Sequence, residues 1–413
     1  MKPTGPIPPD FVRREGELMI GGRTAGEWTE LAGDTPLFVY DFAIVRDRIT
    51  RFRAAFPGVS LHYAVKANPH PPLVRAIVSL VDGLDVASAG EARIALEAGM
   101  DARHISFAGP GKRDRELEMA IDAGITLNLE SAGEAERALA IGRGMGRTPR
   151  LAVRVNPDFE LKGSGMKMGG GAKPFGIDAD RVAEVVRRIS DAGAIYRGLH
   201  IYAGSQALDA AAIIEAQRST LALAARISSD SGVAPPHVNL GGGFGIRYFA
   251  PDAELDEKSV GNALASELAR RPAVLADTEF TIELGRWLVG EAGVYLTRIV
   301  DRKISHGKTF LVVDGGLHHQ LAASGNFGTV VKRNYPISLS KISNEASSCT
   351  VSVVGCLCTP IDRLGDQVEL PDAQVGDMVV LFLAGAYGAS ASPQAFLAHP
   401  AAVELSIDGT EIL

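Results

Sequence analysis

Between residues 60 and 286 the chain repeats one alternation. A short β-rich run is followed by a longer stretch with apolar residues at helical spacing. The runs are LHYAVKAN (61–68), GLDVAS (83–88), HISFAGP (104–110), ITLNLE (125–130), RLAVRVNP (150–157), YRGLHIYAGS (196–205), HVNLGGGF (237–244) and TEFTIELGR (278–286). Helical periodicity shows at 92–98, 115–123, 135–141 and 181–189, and glycine stops follow two of these stretches, at Ala98-Gly99 and Ala123-Gly124. Eight strands alternating with helices predict an α/β chain built on a closed (β/α)₈ barrel of the TIM type. An open doubly wound sheet is the alternative, but its usual strand count is lower.

The texture changes after Arg286. Strand-like segments at 294–304, 308–316, 349–355 and 377–385 follow with no comparable helix train between them. A chain of 413 residues exceeds the roughly 250–300 at which one core stops growing. We therefore expect a barrel over 37–284 and an all-β domain over 285–413. Residues 1–36 join the β-domain, because LMIGGRT (18–24) reads as a strand. The glycine-rich run GSGMKMGGGAKPFG (163–176) reads as a flexible lid or linker between the fifth and sixth barrel elements.

Composition narrows the function by exclusion. With 42 basic and 49 acidic residues the net charge is −7, which favours neither nucleic acid nor an anionic membrane as partner. Three cysteines, Cys349, Cys356 and Cys358, make no disulfide framework. The first ten residues hold four prolines and no apolar core stretch, so no signal peptide is expected. No apolar run reaches 18 residues, so no membrane span is expected either, and the cytoplasm is the expected compartment.

In a barrel the reacting groups lie at the C-terminal strand ends. Those ends read Lys66, Asp85, Pro110, Glu130, Arg154, Ser205, the run Gly241-Gly242-Gly243-Phe244-Gly245, and Glu283. A lysine at the top of a buried strand can lose its proton through desolvation and attack an aldehyde; a surface lysine is the plain alternative. Glycines after a strand let backbone N–H groups cradle a phosphate, or simply form a tight barrel loop. This run fits neither the dinucleotide fingerprint nor the nucleotide P-loop. Glu283 suits a protonated ring nitrogen, or a salt bridge to Arg286. Cys356 and Cys358, with His318 and His319 nearby, lack a second cysteine pair at ligand spacing, so no metal site is expected.

Together these blocks resemble the pyridoxal-phosphate (PLP) dependent decarboxylases of the alanine-racemase-like, type III fold, which include the diaminopimelate, ornithine and arginine decarboxylases. The resemblance covers about residues 20–400. It rests on YAVKAN (63–68), DVAS (85–88), RVNP (154–157), GSQ (204–206), GGGFG (241–245), ELGR (283–286), GCLCTPID (355–362) and GAYGA (385–389), in that order. From its first residues the chain also resembles decarboxylases associated with exosortase and exopolysaccharide systems. The resemblance implies PLP as cofactor and Lys66 as its Schiff-base lysine. Ser205, the Gly241–Gly245 backbone, Gly285, Arg286 and Tyr387 hold the phosphate in that reading. Asp85, Arg154 and His200 complete the ring site, and Glu283 meets the pyridine nitrogen. Cys358 is implied to handle the proton at Cα in the partner's site of a homodimer with shared active sites.

The sequence departs from the family pattern in three places. Tyr202 stands where the family stacks a histidine on the ring. Thr359 stands where the family has a carboxylate that pairs with the substrate's distal ammonium; losing such a charge-assisted bond costs roughly 1.5–3 kcal/mol. The family's carboxylate-gripping arginine segment is replaced by 318–337. Asp362, Arg286, Arg333, Thr359 and Tyr387 are therefore the candidate substrate contacts, Asp362 as a compensating carboxylate. We expect an amino-acid decarboxylase whose substrate lacks a free distal ammonium, such as an aminoacyl carrier protein. A decarboxylase of free diaminopimelate, lysine or ornithine, a racemase, and a non-catalytic regulatory relative are the alternatives.

Overall fold

The computed structural model describes residues 2–163, 165–325, 333–343 and 347–413, which fall into two compact units. The first comprises Arg48–Gly245 and Glu254–Gly285; the second comprises Met1–Asp47, Ile246–Ala253 and Arg286–Leu413.

The first unit is the expected barrel. Its strands are β1 (Ser60–Ala64), β2 (Gly83–Val86), β3 (Ile105–Phe107), β4 (Thr126–Leu129), β5 (Arg150–Asn156), β6 (Ile195–Ile201), β7 (His237–Gly242) and β8 (Glu279–Leu284). All neighbours pair in parallel, and β8 pairs with β1 to close the ring. Helices Pro71–Val78, Ala89–Glu97, Asp114–Ala123, Ala132–Met145, Val182–Asp191, Ala210–Ser231 and Glu257–Ala269 follow β1 to β7 in turn. Ser88 and Ser131 cap two of them, each hydroxyl accepting the N–H of a glutamate three residues on, Glu91 and Glu134.

Strand alternation decides what points inward. Leu61 and Tyr63, Leu127 and Leu129, and Phe280, Ile282 and Leu284 are buried. Between them Ser60 and His62, Thr126 and Asn128, and Glu279 and Thr281 line a cavity of about 290 Å³. The apolar core thus lies on the other face of the strands, where each fully buried aliphatic side chain contributes about 1.5–3 kcal/mol. The lumen is polar. Glu283 continues the inward set of β8, which aims its carboxylate into the barrel.

The 163–176 run, read from sequence as a lid or linker, makes backbone contacts along its length. Met166–Lys167 pairs antiparallel with Gly204–Ser205, and Ile177–Asp178 pairs parallel with the end of β5. The N–H groups of Gly169 and Gly170 donate to Ala203 and Pro157 carbonyls at 3.1 Å. Glu130 Oε2 accepts from Gly176 N at 2.8 Å. Strand ends and one buried carboxylate thus accept several of its backbone N–H groups. Ser164 lies outside the described residues.

The second unit is mostly sheet. Gly293–Ser305 is its long central strand. The first half pairs with Leu37–Asp41 and with Met378–Leu381; the second half turns back on Lys308–Val313, and Ser348–Val354 and Arg363–Pro371 extend that side. Glu17–Ile20 and Arg23–Thr24 form a hairpin, and Leu18 N donates to Ser340 O within this unit. The observed division differs from the expected boundary at 37. Leu37–Asp41, which that boundary would give to the barrel, is a fully buried strand that pairs with Gly293–Ser305 and Val403–Asp408. Burial pattern alone does not name a strand's partner. Ile246–Ala253, directly after the glycine run, also belongs to the second unit. Among the described residues no helix is long and apolar enough to cross a membrane.

Candidate active site

Lys66 sits in a single 3₁₀ turn, Val65–Ala67, directly after β1. Val65 and Ala67 are buried, while Lys66 is exposed. The expected desolvation of this lysine is therefore not met. Its Nζ lies 5.5 Å from the centroid of the Tyr202 ring, just beyond the end of β6. Gly285 packs against this turn: a Cβ there would come within 2.8 Å of Ala67 Cβ.

Glu283 is buried, and one of its two oxygens carries both of its side-chain contacts. Its Oε2 accepts from Asn239 Nδ2 at 3.0 Å and lies 2.8 Å from His200 Nε2. Burial alone would raise its pKa, but His200, Lys66 and Arg154 outweigh that and hold the carboxyl well below the usual range. His200, a candidate for the ring site, is 3% exposed and turned to Glu283, whose carboxylate it orients.

Arg154 is buried on β5 and pairs with Glu130 at 2.8 Å, with its guanidinium over the Phe175 ring. Glu130 Oε1 also accepts from Gly109 N at 2.7 Å. Burial opposes the Glu130 charge, but Arg154 prevails and lowers its pKa. Asp85, next to the last residue of β2, has one oxygen 3.4 Å from His62 Nδ1. Burial works against the imidazolium of His62, yet Asp85 and Glu283 raise its pKa overall.

The glycine run laces against the segment after β6. Gly243 has φ +73°, and a Cβ there would lie 2.0 Å from Gly204 O. Gly243 O accepts from Ala207 N, whose own carbonyl accepts from Gly245 N. Gly241 N donates to Asn239 Oδ1 at 2.8 Å. Phe244 is a core anchor against Phe56, with 5.8 Å between ring centroids, so only its backbone can serve a ligand. Beside this cradle the Ser205 hydroxyl is buried with no partner among the described residues. An unpaired hydroxyl at a glycine cradle, with an amine and an ionised carboxylate at neighbouring strand ends, fits a phosphorylated aldehyde with a basic ring nitrogen.

In the second unit Arg286 donates to Tyr248 Oη at 2.6 Å and lies over the rings of Tyr248 and Tyr387. Burial disfavours its charge, but Tyr248, Tyr387 and Tyr335 more than compensate. Tyr387 adopts φ +57°, a strained backbone state for a non-glycine residue. Arg333 is exposed and stacks over Phe249. Cys358 is exposed and Thr359 half-buried. Asp362 is not available as a compensating carboxylate. It is 2% exposed, and its oxygens accept from Leu317 N at 2.7 Å and Leu357 N at 2.9 Å.

Residues 42–290 match the pyridoxal-binding domain of the pyridoxal-dependent decarboxylases. The chain belongs to this family. It is 35% identical to an L-glutamyl-[BtrI acyl-carrier protein] decarboxylase of Niallia circulans over 90% of this chain and 88% of that one. A 2-[(L-alanin-3-ylcarbamoyl)methyl]-2-hydroxybutanedioate decarboxylase of Staphylococcus aureus is 29% identical over 88% and 92%. The crystal structure of diaminopimelate decarboxylase from M. jannaschii with L-lysine matches with TM-score 0.88 at 26% identity, covering 98% of this chain and 94% of that one. The protein is a PLP-dependent carboxy-lyase. When bound, the cofactor supplies an electron sink for the pair left at Cα when CO₂ departs.

Sequence reasoning did not single out Asn239, Tyr248 or Tyr335, and it read Glu130 only as a strand end. A signal for Asn239 existed: it shares the inward side of β7 two residues before the glycine run. Tyr248 and Tyr335 are far apart in sequence and meet only in the fold, at 4.8 Å between ring centroids.

Proposed function

We propose that the protein decarboxylates an amino acid whose far end carries no free ammonium, with an aminoacyl carrier protein as the best candidate. The observation that carries this reading is the 355–362 loop. Thr359 replaces a carboxylate, and the one acidic residue of the loop, Asp362, is spent on two backbone N–H groups. A substrate ammonium meeting this loop would find no anionic partner there. The relative that acts on a glutamyl-carrier protein and the one that acts on an amide-linked alanyl compound support the reading.

In this proposal Lys66 would bond the cofactor, and Ser205, the Gly241–Gly245 backbone, Arg286 and Tyr387 would hold its phosphate. Arg154 and Tyr202 would serve its ring. Glu283, kept ionised by His200, Lys66 and Arg154 and oriented by Asn239, would keep the ring nitrogen protonated. The substrate's Cα–carboxylate bond breaks, CO₂ leaves, and a proton replaces it at Cα. We assign delivery of that proton to Cys358, whose exposed position suits a site shared between two copies. The reading places a homodimer in the cytoplasm, in the exosortase or exopolysaccharide setting that the sequence resemblance implies.

The test is CO₂ release by purified holoenzyme from free lysine, ornithine and diaminopimelate beside aminoacyl carrier proteins. Turnover only of carrier-bound substrate supports the proposal. Efficient turnover of a free diamino acid, with kcat/KM in the ordinary enzyme range of about 10⁴ M⁻¹s⁻¹ or above, overturns it.

A further inference from the structure

Three side chains of the second unit that the proposed chemistry does not use converge at one point. The ligand atoms of His318, Cys356 and His399 all lie within 4.8 Å of one another. Cys356 Sγ is 3.9 Å from each ring nitrogen of His399. His318 is 0% exposed, and neither of its ring nitrogens has a partner among the described residues.

The adjacent histidine gives the contrast. His319 Nδ1 meets the Tyr295 hydroxyl at 3.0 Å, and Nε2 meets the Pro400 carbonyl at 2.9 Å. Buried polar groups ordinarily find partners, as His319 does. A fully buried imidazole with two idle nitrogens, beside a thiol and a second imidazole, is the pattern of a ligand set.

The segments that carry these groups are tied in place. Asp362 accepts from Leu317 N and Leu357 N, clamping the loop of His318 to the loop of Cys356. Cys356 N donates to Gly315 O at 3.0 Å. His319, through Pro400, fixes the segment that carries His399. These contacts fix the backbone from which the three side chains project.

The donor set selects the ion. One sulfur and two imidazoles, with no carboxylate among them, suit zinc and disfavour calcium or magnesium. In a tetrahedral zinc site, bonds of about 2.0–2.1 Å to nitrogen and about 2.3 Å to sulfur put ligand atoms roughly 3.3–3.8 Å apart.

We propose that His318, Cys356 and His399 form a Zn²⁺ site with a fourth position open to water or a ligand. The ion pins the loop on which Cys358 and Thr359 ride. No metal is expected from sequence because these residues have no short ligand spacing. These ligands come from three separate loops, and the histidine beside His318 is engaged elsewhere.

The test uses untagged holoenzyme, loaded with Zn²⁺, passed through gel filtration and assayed for metal and by X-ray absorption. We expect about one zinc per chain, with one sulfur near 2.3 Å and two nitrogens near 2.0–2.1 Å in the absorption fit. Cys356→Ser and His399→Gln each reduce retained zinc at least tenfold while cofactor absorbance and elution volume stay unchanged; Cys349→Ser retains it. His399 is half-buried, so its variant decides the matter if Cys356→Ser misfolds. Wild-type protein that retains no zinc, or His399→Gln that retains it undiminished, overturns the proposal.

Discussion

Glu130→Gln probes the link between the cofactor end of the barrel and the 163–176 segment. Glu130 is 5% exposed, and its oxygens serve three donors: Arg154 Nη1 at 2.8 Å, Gly109 N at 2.7 Å and Gly176 N at 2.8 Å. Glutamine keeps the shape but turns one oxygen into an NH₂ group. One backbone N–H then faces a donor, and Arg154, 7% exposed, loses its counter-charge. An unpaired buried charge costs about 3–5 kcal/mol, and a buried N–H without an acceptor about 1–3 kcal/mol. These overlap, and Phe175 still faces the guanidinium, so we expect a net loss of about 3–4 kcal/mol. Arg154→Met should cost a similar amount, because it strands the carboxylate. The double variant should fall short of additivity by about 2 kcal/mol. The assay is urea unfolding of cofactor-free protein followed by far-UV ellipticity. Tryptophan emission would not watch the barrel, because Trp28 and Trp287 both lie in the second unit. Losing the Gly176 contact should also speed proteolysis within 163–176. A single-variant loss below about 1 kcal/mol, with an additive double variant, would refute the desolvated pair.

Three further outcomes are expected. Burial, with lesser contributions from His62, Arg197 and His200, lowers the pKa of His237 to about 3, against about 6.5 unfolded. The unfolded state therefore binds the extra proton, and stability is lost as pH falls from about 6.5 toward 3, at up to about 1.4 kcal/mol per pH unit for this group. His237→Gln should reduce the acid-side slope of stability by that one proton; an unchanged slope counts against a buried neutral imidazole. Gly243→Ala should abolish retention of the cofactor on gel filtration, because its Cβ would lie 2.0 Å from the Gly204 carbonyl at φ +73°; normal retention would mean that the cradle is not where the phosphate sits. Asn239→Ala removes one charge-assisted bond to Glu283, worth about 1.5–3 kcal/mol, so kcat should fall roughly 10- to 100-fold with KM little changed. A change in KM alone would place Asn239 in substrate binding instead.

The strand–helix alternation was sufficient to specify the barrel, because the period of apolar residues is a local property that survives without knowledge of partners. The order of motifs likewise marked Lys66, Glu283, the glycine run and Arg286, since each sits at a strand end or in a glycine context legible over a few residues. Pairing was not legible. Leu37–Asp41 carries the burial of a barrel strand but joins the other unit's sheet, a choice made by hydrogen bonds to segments more than 250 residues away. Composition was silent on contacts at 163–176, where glycines permit a loop but do not say which strand ends it meets. The partners of polar side chains were hidden for the same reason. His200 meets Glu283, and Asp362 joins two loops, contacts that no short motif spells out. The cluster of His318, Cys356 and His399 has no short motif at all. What the sequence by itself determined is the set of elements and the chemistry of their ends. Which polar atoms are left without a partner, and so which are free to bind something else, is decided only when distant segments pack.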